Sequence, residues 1–210
     1  MSILEQIRDM LIKGKANDVQ SLVKQALDQK EKPADILNKG LLAGMSMIGE
    51  RFKKNEVYVP EVLIAARAMK TGMVILKPEL VKAGVQPFAT VVLGTVKGDL
   101  HDIGKNLVGM MLEGAGFKVV DVGINAEPQK FVDAAKENKA TVIAVSALLT
   151  TTMTNMKDVV ACVKAGGLSG KVKVIVGGAP VTQAFCDEIG ANGYAPDAAS
   201  AADLAKKLAA

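Results

Sequence analysis

The chain has 210 residues, half of them hydrophobic and 23% charged, so it is globular rather than disordered and long enough for one or two domains. Lys and Arg number 26 against 22 Asp and Glu, giving +4 with no basic run, and aromatic residues are only 3%, so nucleic acid is not an expected partner. The N-terminus is amphipathic and already acidic at Glu5, unlike a secretion signal, and the longest uncharged stretch, 140–156, holds a Ser and five Thr, so neither export nor a membrane span is expected.

Up to about residue 85, apolar residues recur at helical spacing. Ile3, Leu4, Ile7, Met10 and Leu11 make one stripe. Val19, Leu22, Val23, Ala26 and Leu27 make a second, with Asn17 or Asp18 as its expected cap. Pro33 opens a third helix carrying Ile36, Leu37, Leu41, Met45, Ile48 and Phe52. Pro60 opens a fourth, with Val62, Leu63, Ala66, Met69, Met73 and Leu76. Short loops between them predict a four-helix bundle over residues 1–86. Two prolines and a glycine make 77–87 the expected linker and hinge.

Beyond it, strands and helices alternate. Short β-branched runs lie at 90–96, 118–122, 141–145 and 172–176, with a weaker one at 193–195. Helical patterns occupy 104–115, 128–138, 153–164, 182–189 and 198–208. The alternation predicts an α/β domain over 87–210, a flavodoxin-like (Rossmann-like) five-stranded parallel sheet in the order 2-1-3-4-5. That order converges three loops on one crevice: 99–104 after the first strand, 146–152 after the third, and 177–180 after the fourth. The cysteines, Cys162 and Cys186, fall in helical patterns without tight spacing, as buried thiols in a reducing compartment do; the cytoplasm is expected.

His101 is the only histidine, and it lies in the first of these loops with Asp99 two residues before it and Gly104 three after. A phosphate loop does not fit: five residues rather than four separate Gly98 from Gly104, and Asn106 stands where Ser or Thr should hold magnesium. The spacing of Gly94, Gly98 and Gly104 is not a dinucleotide fingerprint, and one His with two remote Cys is a poor zinc site. A His–Asp acid–base pair and a loop-capping His both stay open on the residues alone. A metal that arrives with most of its ligands in place, needing one axial imidazole, also fits; Asp99 is then positioned to orient that imidazole through its other nitrogen.

Asp99-Leu100-His101-Asp102-Ile103-Gly104 matches the Asp-x-His-x-x-Gly motif of cobalamin-binding domains. Ser146-Ala147-Leu148 matches their Ser-x-Leu signature, and Gly177-Gly178 their Gly-Gly pair. In the helical half, Gly44-Met45 through Ile48-Gly49, then Phe52 and Tyr58-Val59-Pro60-Glu61, resemble the cap of cobalamin-dependent methionine synthase. The whole chain resembles the corrinoid methyl-carrier proteins of methanol, methylamine and aryl-ether methyltransferase systems.

The resemblance implies a cobalamin or related corrinoid bound base-off, its lower base displaced by His101 as lower axial ligand to cobalt and its nucleotide tail threaded into the crevice. Asp99 would be the partner of His101. Thr152 would be the relay hydroxyl, a serine in methionine synthase. Ser146 and Thr150 would contact the tail base, with Leu100, Asp102, Ile103 and Leu148 lining the site. Gly98, Gly104, Gly177 and Gly178 would let the backbone approach the tail. Phe52 and Val59 (a leucine in methionine synthase) would shield the methyl-bearing face. The family function is a carrier cycling between cobalt(I) and methyl–cobalt(III). Its implied partners are a substrate-specific methyltransferase, an acceptor methyltransferase and a reductive activator; the chain alone is not an expected catalyst. Two alternative cobalamin-protein classes stay open, a cobalamin-dependent sensor or transcriptional regulator and the small subunit of an adenosylcobalamin mutase. No DNA-binding segment or second histidine supports the former, and the cap match from Phe52 to Pro60 weighs against the latter.

Overall fold

A computed structural model describes residues 1–210. The chain divides into two compact units, Met1–Pro87 with Gly114–Gly116, and Phe88–Glu113 with Phe117–Ala210.

In the first unit, α1 (Ile3–Ile12) opens on a reciprocal cap: Ser2 N donates to the Glu5 carboxylate at 2.7 Å and Glu5 N donates to Ser2 Oγ at 3.3 Å. It buries Ile7 and Leu11, two members of the predicted stripe. The second helix, α2 (Ala16–Asp28), starts earlier than its expected cap, with Lys15 at the N-cap and no side-chain bond there. Gly14, at φ +69°, turns the chain directly from one helix into the next and leaves no room for a capping Asn17. Asp18 lies instead in the first turn, where its charge suits the helix dipole.

The third predicted helix forms, but not as one regular coil. It consists of α3 (Pro33–Asp35), a π-helical stretch Ile36–Leu42, and α4 (Ala43–Lys53). A π turn takes up more residues than an α turn and rotates everything after it, which a 3.6-residue period cannot anticipate. Gly40 lies within that stretch, where a Cβ would come 3.0 Å from Ile7 Cγ2 of α1. The fourth helix, α5 (Val59–Lys82), runs through Pro78 and occupies half of the expected linker. Val74 and Pro78 both face solvent, so the carbonyl that proline leaves unpaired can be hydrated, while Leu76 and Leu80 on the opposite side are buried and hold the helix in place. Gly72 of α5 faces α2, where a Cβ would meet Val19 and Val23.

The second unit is the predicted α/β domain. Its five strands are β1 (Thr90–Val96), β2 (Lys118–Ala126), β3 (Val142–Ser146), β4 (Lys173–Gly177) and β5 (Gly193–Ala195). All pairs are parallel and the order is β2-β1-β3-β4-β5. The helices are α6 (Ile103–Gly114), α7 (Pro128–Glu137), α8 (Thr150–Met153), α9 (Met156–Ala165), α10 (Gln183–Ile189) and α11 (Ala198–Ala209). The helix expected at 153–164 is thus two: α8 recruits Thr150–Thr152 because the Thr152 and Met153 amides both donate to Leu149 O, at 3.1 and 2.9 Å.

The central strands are apolar on both faces, as a sheet covered by helices requires, with Val91, Val92, Ile143 and Val174 among the buried residues. The β1–β2 register slips between Leu93, opposite Asp121, and Gly94, opposite Gly123. Val122 is the extra residue of this bulge. A Cβ on Gly94 would lie 2.4 Å from Val122 Cγ2 and 2.8 Å from the Phe131 ring, so the side chain Gly94 lacks is the space that Val122 and Phe131 fill. The bulge is pinned by Asp121, whose Oδ1 accepts from Gly123 N at 2.8 Å and whose Oδ2 pairs with Lys105 of α6. A second slip, between Gly94 and Val96, brings Ala126 level with Val96 at the carboxyl end of the sheet.

Candidate cofactor site

The crevice between β1 and β3 is the switch point of the sheet, where the chain leaves in opposite directions from neighbouring strands. β1 ends in a type II turn: Asp99 N donates to Val96 O at 3.1 Å, and Gly98 supplies the positive φ, +81°, that the third position needs. The turn delivers Asp99 into the protein, where its side chain is fully buried, and leaves the His101 side chain 51% exposed.

Four donors converge on the Asp99 carboxylate. Oδ1 accepts from His101 N at 3.0 Å and from His101 Nδ1 at 2.9 Å. Oδ2 accepts from Leu148 N at 2.8 Å and from Thr152 Oγ1 at 2.7 Å. Two oxygens with about four acceptor positions are thereby filled. Burial alone would push this carboxyl up; the Thr152 hydroxyl, the Leu148 and His101 amides and the imidazole outweigh it and hold it far below the usual carboxylate range. An ionised carboxylate facing Nδ1 requires the proton on that nitrogen, which in the neutral ring leaves Nε2 with its lone pair and free of the carboxylate.

The loop after β3 serves the same carboxylate from the other side. Leu148 contributes its amide, and Thr152 is buried in α8 with its hydroxyl on Asp99 and with Leu149 O also within 3.0 Å. Ser146 pairs with Gly177 across β3 and β4. Its hydroxyl lies 2.9 Å from Thr95 Oγ1, which in turn donates to His101 O at 3.0 Å. Since that carbonyl can only accept, Ser146 donates to Thr95. Gly178, at φ +126°, passes so close to the β3 loop that a Cβ would be 1.9 Å from Ala147 O.

The residues predicted around His101 divide by burial. Leu100 and Ile103 are 68% and 79% exposed, and Leu148, Leu149 and Thr150 are exposed beside the third loop. A Cβ on Gly104 would touch nothing within 4 Å. Asp102 lies at the start of α6, its carboxylate accepting from Asn106 Nδ2 at 3.0 Å. Phe52, in α4, and Val59, the first residue of α5, are half-buried in the helical unit.

Thr95 and Lys105 are among the contributors that the sequence does not announce. Thr95 is fully buried and supports the His101 backbone; its signal is a hydroxyl inside an otherwise apolar central strand. Lys105 is only 4% exposed and pairs with Asp121, and nothing in the spacing of Lys105 and Asp121 announces that pairing.

An open parallel sheet with a buried carboxylate, an outward imidazole and exposed apolar side chains at its switch point defines a cofactor-binding α/β domain. Family comparison agrees: residues 89–203 match the B12 binding domain, and residues 3–77 match a second domain of that description in the helical unit. The chain is 41% identical to a corrinoid protein of Desulfitobacterium hafniense, over 99% of this chain and 98% of that one. It is 43% identical to a dimethylamine corrinoid protein of Methanosarcina barkeri, over 98% and 97%. The methanol:cobalamin methyltransferase complex MtaBC of Methanosarcina barkeri contains a chain with the same architecture, at TM-score 0.87 and 28% identity over 99% of this chain and 79% of that one. The protein belongs to the B12-binding corrinoid protein family. No helix is long and apolar enough to cross a membrane.

Proposed function

We propose that this protein is a corrinoid methyl carrier in which His101 Nε2 is the lower axial ligand, the corrinoid's own base being displaced into the crevice between β1 and β3. The observation that carries this is the His101–Asp99 pair: one ring nitrogen is bonded to a saturated, buried carboxylate at 2.9 Å and the other is left on an exposed ring edge. No three His, Cys, Asp or Glu side chains stand together, so a metal served by His101 must bring its other donors with it. The exposed apolar side chains of Leu100 and Ile103, in the same loop as His101, suit the face of a large macrocycle, and the open space at Gly104 suits close approach of its periphery.

When bound, the corrinoid supplies a cobalt centre that takes up a methyl group as cobalt(I) and releases it from cobalt(III). The chain's own part is ligation and proton placement. Asp99 fixes the Nδ1–H tautomer and the orientation of the ring, and so the direction of Nε2. Thr152 Oγ1, by donating to Asp99 Oδ2, sets how much of the carboxylate's charge remains for the imidazole. Ser146 and Thr150 contact the tail base, Gly98 gives its nucleotide a close path, and Gly177 and Gly178, whose Cβ space is already filled by Ala195 O and Ala147 O, line that path with backbone. Residues 1–86 would serve as the cap, with Phe52 and Val59 as its methyl-shielding residues, and 87–210 as the cobalamin-binding domain.

Relatives named for dimethylamine and a likeness to a methanol methyltransferase complex support two protein partners, one delivering the methyl from a small donor and one removing it. A reductive activator would return oxidised cobalt to the carrier cycle. The cytoplasm suits two free cysteines, Cys162 and Cys186; the Cys186 thiol is pushed up by burial and by Asp187, against a Gly193 amide.

The test is paramagnetic resonance of the protein loaded with cobalt(II) cobalamin, made with natural and with 15N-labelled chain. Ligation by His101 predicts nitrogen splitting that changes from triplet to doublet on labelling the protein and vanishes in His101→Ala. Splitting that ignores the protein label would assign the axial nitrogen to the cofactor's own base and refute the ligand assignment.

A further inference from the structure

The turn that carries the ligand loop is held from two directions at one peptide unit. In a type II turn the central peptide stands roughly perpendicular to the turn, its carbonyl on one side and its N–H on the other. Here that unit joins Lys97 and Gly98. Asn155 Nδ2 donates to Lys97 O at 2.8 Å, and Gly98 N donates to Asn125 Oδ1 at 2.7 Å. The amide orientations are forced, because a carbonyl only accepts and an N–H only donates. Asn125 also donates its own N–H to Asp99 O at 2.9 Å.

The two asparagines come from different parts of the fold. Asn125 is near the end of β2, past the bulge, in the left-handed conformation (φ +49°) that Asn and Asp adopt more readily than other side chains. Asn155 stands at the N-cap position of α9 without making a side-chain cap bond there, and its backbone N–H donates to Thr152 O at 3.0 Å, so it belongs to the same short segment that delivers the Thr152 hydroxyl to Asp99. We propose that Asn125 and Asn155 are positioning residues: by gripping both ends of the Lys97–Gly98 peptide they prevent it from flipping and so fix the height and angle at which His101 is presented. The inference rests on the reading of His101 as axial ligand and deepens it, since an imidazole held on a two-residue tether from Asp99 can be no better placed than the turn beneath it.

A peptide flip converts the type II turn into type I and requires Gly98 to leave positive φ. With the clamp intact, that motion breaks two hydrogen bonds at once. Asp at position 125 keeps the acceptor and tolerates the backbone; Asp at position 155 replaces a donor with an acceptor facing Lys97 O. The two identical substitutions therefore have opposite consequences, which generic loosening of a loop would not produce.

The experiment has an arm without cofactor and an arm with it. In the apoprotein, amide hydrogen exchange of Gly98 should speed up about fivefold in Asn125→Gly, the size expected for one net hydrogen bond, and stay near wild type in Asn125→Asp. In cobalt(II) cobalamin-loaded protein, Asn125→Gly, Asn155→Ala and Asn155→Asp should each show a second, broadened population without nitrogen splitting, while Asn125→Asp keeps the wild-type line. Circular dichroism and the urea midpoint show that each variant is folded, and the Asn155 pair carries the test should Asn125→Gly fail to fold. Unchanged exchange and unchanged splitting in the loss variants would overturn the clamp, as would equal behaviour of the two Asp variants. Absence of the imidazole signal in the wild type would instead strike the ligand assignment, and the exchange arm would still decide the clamp.

Discussion

Replacing Thr152 with valine removes a single hydroxyl from the centre of the site and almost nothing else. Thr152 is buried and its Oγ1 is 2.7 Å from Asp99 Oδ2. A hydrogen bond to a charged acceptor contributes about 1.5–3 kcal/mol, and valine keeps the shape of threonine. Asp99 would retain its three other donors, Leu148 N, His101 N and His101 Nδ1, so the loss should fall toward the lower end, about 2 kcal/mol. Thr152→Ser makes the complementary change: it keeps the donor and removes one methyl, at about 1 kcal/mol. Urea unfolding of the apoprotein at pH 7 should thus rank wild type above Ser above Val. The difference between wild type and Val should also depend on pH. The Asp99 carboxyl is depressed in the folded state, so the stability it contributes is present above its ordinary value of 3.8 and is lost as pH falls below that. Thr152→Val depresses it less, loses less on acidification, and should converge toward wild type as pH is lowered. A valine variant no less stable than the serine variant at pH 7, or a gap that widens in acid, would refute the account of Asp99 as a charge stabilised by these donors.

Three further outcomes follow from what a methyl would meet at a glycine. Gly178→Ala, with φ +126° and a Cβ 1.9 Å from Ala147 O, should destabilise the apoprotein by at least about 2 kcal/mol in urea and displace the β3 loop; a midpoint within error of wild type would contradict it. Gly94→Ala places a methyl against Val122 and Phe131 and should cost about 1–3 kcal/mol by overpacking, read from thermal unfolding. Gly104→Ala meets open space in the first turn of α6, so it should raise apoprotein stability by up to about 1 kcal/mol while weakening cobalamin uptake measured by absorbance titration; stability and uptake rising together would remove Gly104 from the cofactor's path.

Much of the domain was legible because its signals are local. Parallel strands buried on both faces read as apolar β-branched runs, and right-handed crossovers leave few orders for five of them, so the sheet and its switch point follow from residues 90–195 without any contact being seen. The Asp99–His101 relation is equally local, two residues apart in one loop. What escaped depends on exact turns or on distant partners. The start of α2 at Ala16 follows from the turn at Gly14, the π stretch Ile36–Leu42 breaks the 3.6-residue period, and Pro78 survives in α5 because the face it disturbs is the wet one.

The sequence by itself determined where an imidazole and a carboxylate would stand, because strand ends and loop order are set by hydrophobic period and chain chirality. Only tertiary structure decided how they are held. Thr95, Asn125 and Asn155 reach the loop from residue separations of 6, 27 and 58, and the side chain of each bonds a backbone atom of that loop. Such bonds leave no mark in composition or spacing: any Asn has the right atoms, and only the bulge in β2 and the short α8 turn bring these two within reach.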